Sequence, residues 1–182
     1  MRLNLLSGTL LSVLALSGCS NEVQKSPDVT SDIRKSLDQA GLKDVSVNQD
    51  RDKGVVTLGG TTKTDDQKSQ AESIARSIAT TQVVADQIAV RPSGDESVAK
   101  KVDSDLDKGI EKNLDAILVR HKLDHNVKYD VKNGVITLKG KVDSESRRSA
   151  VEKMASGVPN VKQVVNELEV RNRKATSSSS SD

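Results

Sequence analysis

The chain has 182 residues, of which 28 are basic and 26 are acidic. This near-neutral balance predicts no general attraction to nucleic acid, whose binding proteins carry a strong positive excess. Tyr129 is the single aromatic residue, without Trp or Phe, so sites that stack on bases or sugar rings are poorly supported. The core must be built from Val, Ile, Leu and Ala, and nucleic acid is not an expected partner.

The chain begins with a secretion pattern. Arg2 precedes an apolar run from Leu5 to Leu16, which is too short for a bilayer core of about 30 Å and ends in small residues before Cys19. The pattern is typical of a bacterial lipoprotein, in which a signal peptide, 1–18, is removed and Cys19 receives diacylglycerol and further acyl chains such as palmitate. The alternative is an ordinary secreted protein whose signal holds a cysteine. Cys19 is the chain's only cysteine, so it has no disulfide partner within the chain.

The residues after Cys19 indicate where the anchored protein is sorted. Ser20 and Asn21 follow, with no Asp directly after the cysteine. By resemblance to the sorting pattern of enterobacterial lipoproteins, this predicts an outer-membrane lipid anchor with the protein facing the periplasm. Residues 19–29 are predicted to form a tether, and the Ser-rich end, 173–182, a disordered tail.

Aligning the chain with itself reveals an internal duplication. At an offset of 80 residues, 54–60 matches 134–140, and the register continues without a gap to Arg91 and Arg171. Upstream, 33–37 matches 110–114 at an offset of 77, which predicts that the second copy has gained three residues before its first strand. The predicted boundaries are a first unit at 30–92, a linker at 93–102 and a second unit at 103–172.

Each unit alternates between helical and strand periodicity in the same order. A helical stripe is followed by two short strands around a turn signal, Asp52-Lys53-Gly54 in the first unit and Asn133-Gly134 in the second. Thr64-Asp65-Asp66-Gln67 resembles a capping box that opens a second helix, and a last strand follows. Each unit is therefore predicted to be an α+β fold of order α-β-β-α-β, with two helices on one face of a three-stranded mixed sheet.

The second unit carries a recognisable pattern over Gly134-Val135-Ile136-Thr137-Leu138-Lys139-Gly140-Lys141-Val142, continued by Val164 and Asn166. The first unit departs from it, with Thr62 in place of Val142 and Asp86 in place of Asn166. On these residues the chain resembles the BON domain family of bacterial envelope proteins, and with its signal it resembles the dual-BON outer-membrane lipoproteins. The resemblance implies a non-enzymatic envelope protein whose expected activity is phospholipid binding.

One helix of the second unit carries a candidate membrane surface. A helical wheel with about 100° per residue predicts a core stripe of Leu106, Ile110, Leu114, Ile117 and His121. The opposite side combines apolar groups and cations, a mixture that suits the headgroup boundary of an anionic membrane: Val119, Leu123, Lys101, Lys108 and Lys112. A second basic cluster is predicted at the strand-to-helix corner, from Lys139, Lys141, Arg147 and Arg148. The alternative is that Val119 and Leu123 pack against the first unit.

Two histidines need a separate interpretation. His121 and His125 are spaced i and i+4, which can hold zinc on one helix face, with Asp124 as an acid or base. Against a zinc site, the helix is predicted to end before Val127, and the sequence offers no obvious third ligand. We therefore expect structural or adventitious histidines, with no metal, no cofactor and no enzymatic activity.

Together these patterns predict a lipid-anchored periplasmic protein that binds phospholipid or rests on the membrane surface. Its expected role is to support envelope integrity or stress tolerance. The alternative is a non-catalytic protein-interaction module, tethered at the envelope, that binds another envelope protein through a sheet edge or a helix face.

Overall fold

A computed structural model describes residues 25–94 and 96–171. The elements of the first unit are α1 (Thr30–Gln39), β1 (Val45–Asp50), β2 (Val55–Thr62), α2 (Asp65–Ile78), β3 (Val83–Asp86) and β4 (Ala89–Val90). Those of the second unit are α3 (Glu96–Arg120), β5 (Val127–Lys132), β6 (Val135–Val142), α4 (Glu145–Ser156) and β7 (Gln163–Val170).

Both units contain the same sheet. The middle strand pairs antiparallel with the strand before it and parallel with the strand that follows the second helix, which gives the orders β1-β2-β3 and β5-β6-β7. The short β4 continues the third strand of the first sheet beside β2. The predicted element order, the mixed sheets and the α+β class are therefore confirmed.

An apolar core holds two helices on one face of each sheet. Its largest buried side chains are Ile33, Leu37, Leu58 and Ile88 in the first unit, and Ile110, Leu114, Leu118, Ile136 and Leu138 in the second. Full burial of such a side chain contributes roughly 1.5–3 kcal/mol. The second helices are also capped locally, because Thr64 Oγ1 and Ser144 Oγ each accept a backbone N–H three residues later at 3.2 Å.

Helices α1 and α3 end in the same way. Gly41 (φ 75°) and Lys122 (φ 55°) adopt the left-handed conformation, and the residue that follows donates its N–H back to the last turn, as in a Schellman motif. The bonds are Leu42 N to Leu37 O at 2.9 Å and Leu123 N to Leu118 O at 2.8 Å. Both following leucines are thereby folded onto the core.

These helix ends correct the alignment of the two copies. Leu37 corresponds to Leu118, at an offset of 81, so the match of 33–37 to 110–114 at an offset of 77 is wrong. The four-residue error equals about one helical turn, which superposes the same apolar faces in either register. The predicted gain of three residues is also wrong. The second copy gains one residue between its folded-back leucine and its first strand, and its hairpin loop is two residues shorter.

The last glycine of each repeated motif permits a close backbone contact. Gly140 has a φ of 122°, and a Cβ atom there would overlap the carbonyl oxygen of Asn126. That oxygen accepts the N–H of Lys141 at 3.2 Å. Gly60, with a φ of 88°, has the same relation to Asp44. Both the left-handed backbone and the missing space therefore require glycine.

The two units pack through the sheet faces that point away from their helices. Val55 and Ala85 of the first unit form a buried apolar cluster with Val135 and Val165 of the second. We call this contact the joint. The offset of 80 pairs Val55 with Val135 and Ala85 with Val165, so the two copies contribute equivalent positions to it.

Polar groups extend the joint. The side-chain amide of Gln163 bridges to β3, since its Nε2 donates to Val84 O at 2.8 Å and its Oε1 accepts from Asp86 N at 3.1 Å. Further bonds between the units include Asn133 Nδ2 to Gln87 O at 2.6 Å and an ion pair of Lys53 with Glu169.

Two segments predicted as connections are partly structured. In the predicted tether, 19–29, Ser26 N donates to Arg51 O at 2.9 Å, so the fold already includes this segment's end. Helix α3 begins at Glu96, inside the predicted linker, 93–102. The signal peptide, Cys19 and the predicted tail, 173–182, lie outside the described residues.

Asp86 and Asn166 occupy equivalent positions. Each side chain accepts the N–H two residues later, at 3.1 Å from Ile88 and 3.2 Å from Leu168. Burial raises the pKa of Asp86 above its ordinary value, opposed by the Ile88 hydrogen bond and by Lys68 at 3.5 Å. Asp86 thus preserves the acceptor that Asn166 provides, at the expense of a nearly buried charge.

We predict that Gly140→Ala lowers the free energy of unfolding by about 2 kcal/mol or more, because the added methyl group must displace the Asn126 carbonyl. Urea unfolding followed by circular dichroism measures the loss. Gly109→Ala is the matched control, since no neighbouring atom lies within 4 Å of its Cβ position in α3 and alanine favours a helix. Equal losses in both variants would contradict the proposed crowding.

We predict that Asp86→Asn changes how stability depends on pH. A carboxyl with a raised pKa adds stability that is complete below its ordinary value of 3.8 and is lost as pH rises through the raised value. The difference in unfolding free energy, variant minus wild type, should therefore increase from pH 4 to pH 7. Urea titrations at several pH values test this, and a difference that is constant with pH would contradict it.

Candidate functional site

Helix α3 extends well beyond the core of the second unit. Its C-terminal half carries the buried residues Ile110, Leu114 and Leu118. Its N-terminal half is held at the side by polar contacts, which include an ion pair of Asp103 with Arg91. The carboxylate of Asp107 also accepts the N–H groups of Asn133 and Gly134, at 2.8 and 2.9 Å. The helix is thus fixed to the fold while much of its surface stays exposed.

The exposed apolar residues of the described chain concentrate on this helix. Of the five large ones, Val83 lies on β3, and four lie on α3: Val98 (62% exposed), Val102 (51%), Leu106 (41%) and Val119 (60%). Val98, Val102 and Leu106 follow one another at i, i+4 and i+8, and we call them the α3 stripe. Leu106 was predicted to belong to the core, and this prediction is wrong.

The stripe is the outward continuation of the buried ladder. Ile110, Leu114 and Leu118 follow Leu106 at the same spacing of four residues. Because each step of four turns about 40° around an α-helix, the ladder winds from the core onto the surface toward the N-terminus. The spacing of four residues is visible in the sequence, but Val98 and Val102 were assigned to the predicted linker, 93–102.

Lysines border the α3 stripe. Lys101, Lys108 and Lys112 are exposed and, on a wheel of about 100° per residue, lie within about 80° of Val98 on the side away from the core. Lys108 has Asp105 at 3.8 Å, and its side chain is 65% exposed. Val119 lies on the same side as these cations. Val119, Lys101, Lys108 and Lys112 therefore lie on one exposed face of α3, and contact of this face with a membrane stays a prediction.

Leu123 does not belong to this surface. It is 3% exposed and packs in the core of its own unit. The prediction that it lies on the outer face is wrong because the helix ends at Arg120, and the left-handed Lys122 turns the chain back. The alternative that Val119 and Leu123 pack against the first unit is wrong as well, since Val119 is exposed.

The second predicted basic cluster is divided between two faces of the second sheet. Lys139 and Lys141 alternate with buried residues along β6, on the side away from the helices, whereas Arg147 and Arg148 belong to α4 on the other side. Acidic neighbours accompany them: Glu167 is 4.0 Å from Lys139, Glu169 is 3.5 Å from Lys141, and Glu145 is 3.5 Å from Arg148. These cations therefore do not form one patch.

The histidines lie just beyond α3. Both are exposed, and His125 Nε2 is 3.5 Å from Asp124 Oδ2. Because the helix ends at Arg120, their spacing does not place them on one helix face. Within residues 25–94 and 96–171, no three His, Cys, Asp or Glu side chains are grouped as metal ligands would be. Across the same ranges, no helix has both the length and the apolarity needed to cross a bilayer.

Sequence comparison identifies a known protein that is similar to this chain. The chain is 28% identical over 144 residues to the osmotically-inducible protein Y of Escherichia coli (strain K12). The alignment covers 79% of this chain and 71% of that protein.

Solved structures with a detectable likeness include two of CdsD, a structural protein of the type III secretion system of Chlamydia trachomatis. Their TM-scores are both 0.33, with 15% and 14% sequence identity. The matches cover 79% of this chain but only 65% and 62% of the CdsD chains.

The sequence profile of the BON domain matches twice, over residues 25–92 and 106–172. These matches include both sheets and all the core helices described above, with α3 entering the second match at Leu106. They account for well over half of the chain, which therefore belongs to the BON domain family.

Proposed function

We propose that this chain is a non-catalytic, lipid-anchored protein of the periplasm that rests on anionic phospholipid through helix α3. The observation that carries the proposal is the concentration of exposed apolar residues on that helix, beside three lysines. A helix lies in the headgroup region when its apolar side chains enter the acyl boundary and its cations meet lipid phosphates. Each lysine near such a surface contributes about 1 kcal/mol at low salt.

The predicted anchor supports this placement. Cys19 is the expected site of acylation, and the described fold begins six residues later, at Lys25. Six extended residues reach about 20 Å, so an acylated chain keeps the first unit close to the bilayer surface. A short tether raises the effective concentration of the fold at the membrane, and weak contacts by α3 are then populated.

The relative in Escherichia coli supports the biological setting. Its name records induction by osmotic conditions, and we extend this to a role of the present chain in envelope integrity or stress tolerance. We assign the anchor to the outer membrane from the residues that follow Cys19. The competing function is a protein-interaction module, in which the α3 stripe would bind another envelope protein instead of lipid.

We predict that Val102→Glu weakens binding to phosphatidylglycerol vesicles by about tenfold or more, because it replaces a membrane-inserted valine worth roughly 1.5 kcal/mol with a repelled anion. Co-sedimentation of the chain from residue 19 onward, with Cys19→Ser to remove the acylation site, measures this affinity. Val83→Glu is the matched control, since Val83 is 48% exposed but lies on β3. Equal losses in the two variants would argue against α3 as the contact.

We predict that replacing Lys101, Lys108 and Lys112 together by Gln lowers vesicle affinity roughly 100-fold at low salt, from about 1 kcal/mol per lysine. The loss should shrink at high salt, because screening weakens the contribution of each cation. The control replaces three exposed lysines of the first unit: Lys35, Lys43 and Lys63. If the wild type fails to sediment with anionic vesicles but crosslinks to an envelope protein through α3, the protein-interaction function is correct.

A further inference from the structure

The joint contains a nearly buried carboxylate. The side chain of Glu167, on β7, is 9% exposed and lines a groove whose other wall is the β1–β2 hairpin of the first unit. The hairpin residues on that wall include Asp50, Arg51 and Asp52. Docking of the units therefore removes water from Glu167, and separation would restore it.

The charges of the first unit do not compensate Glu167 for the hydration that it loses when the units dock. Lys139, at 4.0 Å, belongs to the same unit and stays beside Glu167 whether or not the units are docked. The first unit contributes the repulsive Asp50 and the attractive Lys53, and Lys53 is engaged by Glu169. Burial raises the pKa of Glu167 above its ordinary value, and Asp50 adds to this effect.

Glu169, two residues along the same strand, behaves in the opposite way. It forms an ion pair with Lys53 across the joint and has Lys141 at 3.5 Å. Lys53 lowers the pKa of Glu169 below its ordinary value of 4.5. Its contribution to docking is therefore present above pH 4.5 and is lost only as pH falls through the lowered value.

We propose that the joint is a pH-responsive contact, in which ionisation of Glu167 favours separation of the two units and its protonation favours docking. The contribution of Glu167 is complete below its ordinary value of 4.5 and is lost as pH rises through the raised value. Since Glu169 remains ionised from pH 5 to pH 7, acidification over this range should tighten the joint. The apolar part of the joint is small, with four side chains, so a change in one charge is enough to shift the docking equilibrium.

Hydrogen exchange at Asp86 tests the proposal, because its N–H is bonded to Gln163 across the joint. We measure the Asp86 amide in the chain from residue 19 onward. We expect its protection factor, corrected for intrinsic exchange at each pH, to rise by about threefold or more from pH 7 to pH 5. Glu167→Gln should abolish this pH dependence, and a flat profile in the wild type would overturn the proposal.

Three further variants separate Glu167 from its neighbours. Glu169→Gln should lower protection at both pH values and keep their ratio, because it removes the pair with Lys53. Asp86→Asn should also keep the ratio, since that carboxyl faces Lys68 and Glu72 within the first unit. Asp50→Asn should raise protection at pH 7 by removing a repulsive charge. If pH dependence persists in Glu167→Gln and disappears in Asp86→Asn, the pH response belongs to the first unit and the proposal is wrong.

Discussion

The way helix α3 ends determines the placement of its whole surface. Lys122 adopts a left-handed conformation, and Leu123 returns to the core with its N–H bonded to Leu118 O at 2.8 Å. With Leu114 and Leu118 buried on the same helix, these contacts fix the rotation of α3 about its axis. The ladder at every fourth residue must then leave the core toward the N-terminus. The exposed apolar stripe therefore follows from core packing several helical turns away.

The joint explains why the two small duplicated units pack against each other. A domain of about 65 residues buries only about 60% of the surface of its unfolded chain, so each unit gains from covering its outer sheet face. Val55 and Ala85 meet Val135 and Val165, their equivalents in the second copy. The joint thus resembles the contact between two identical subunits, in which one surface recognises itself. Gln163, aligned with Val83, breaks this symmetry by adding a bidentate polar contact.

Local patterns in the sequence predicted the fold, because each unit is built from short-range signals. Asn133-Gly134 specifies a two-residue hairpin turn, with φ values of 52° and 81°, and Thr64 caps α2 as expected. Rotation along a helix was less predictable. The wheel continued past Arg120, where the helix ends, and so placed Leu123 on the wrong side. The register of the first helices was wrong by four residues, because the apolar repeat does not distinguish one turn from the next.

The candidate site was predictable only in part. Exposed lysines and Val119 could be recognised from spacing alone, whereas Val98 and Val102 were assigned to a linker. That assignment failed because polar residues dominate 93–102, although Val98 and Val102 already stand at helical spacing. Burial between the units could not be deduced either, since it depends on which sheet faces meet. The nearly buried position of Glu167 at the joint is a result of this packing.

The amide of Gln163 also has a consequence for behaviour at high local density. Val84 O and Asp86 N face away from the first sheet, where an unpaired strand edge would offer a template for another polypeptide. Gln163 engages both groups and so imitates one residue of an added strand. When many copies lie close together, an open strand edge is exposed to intermolecular β-pairing. Gln163 protects this edge because its amide already occupies Val84 O and Asp86 N.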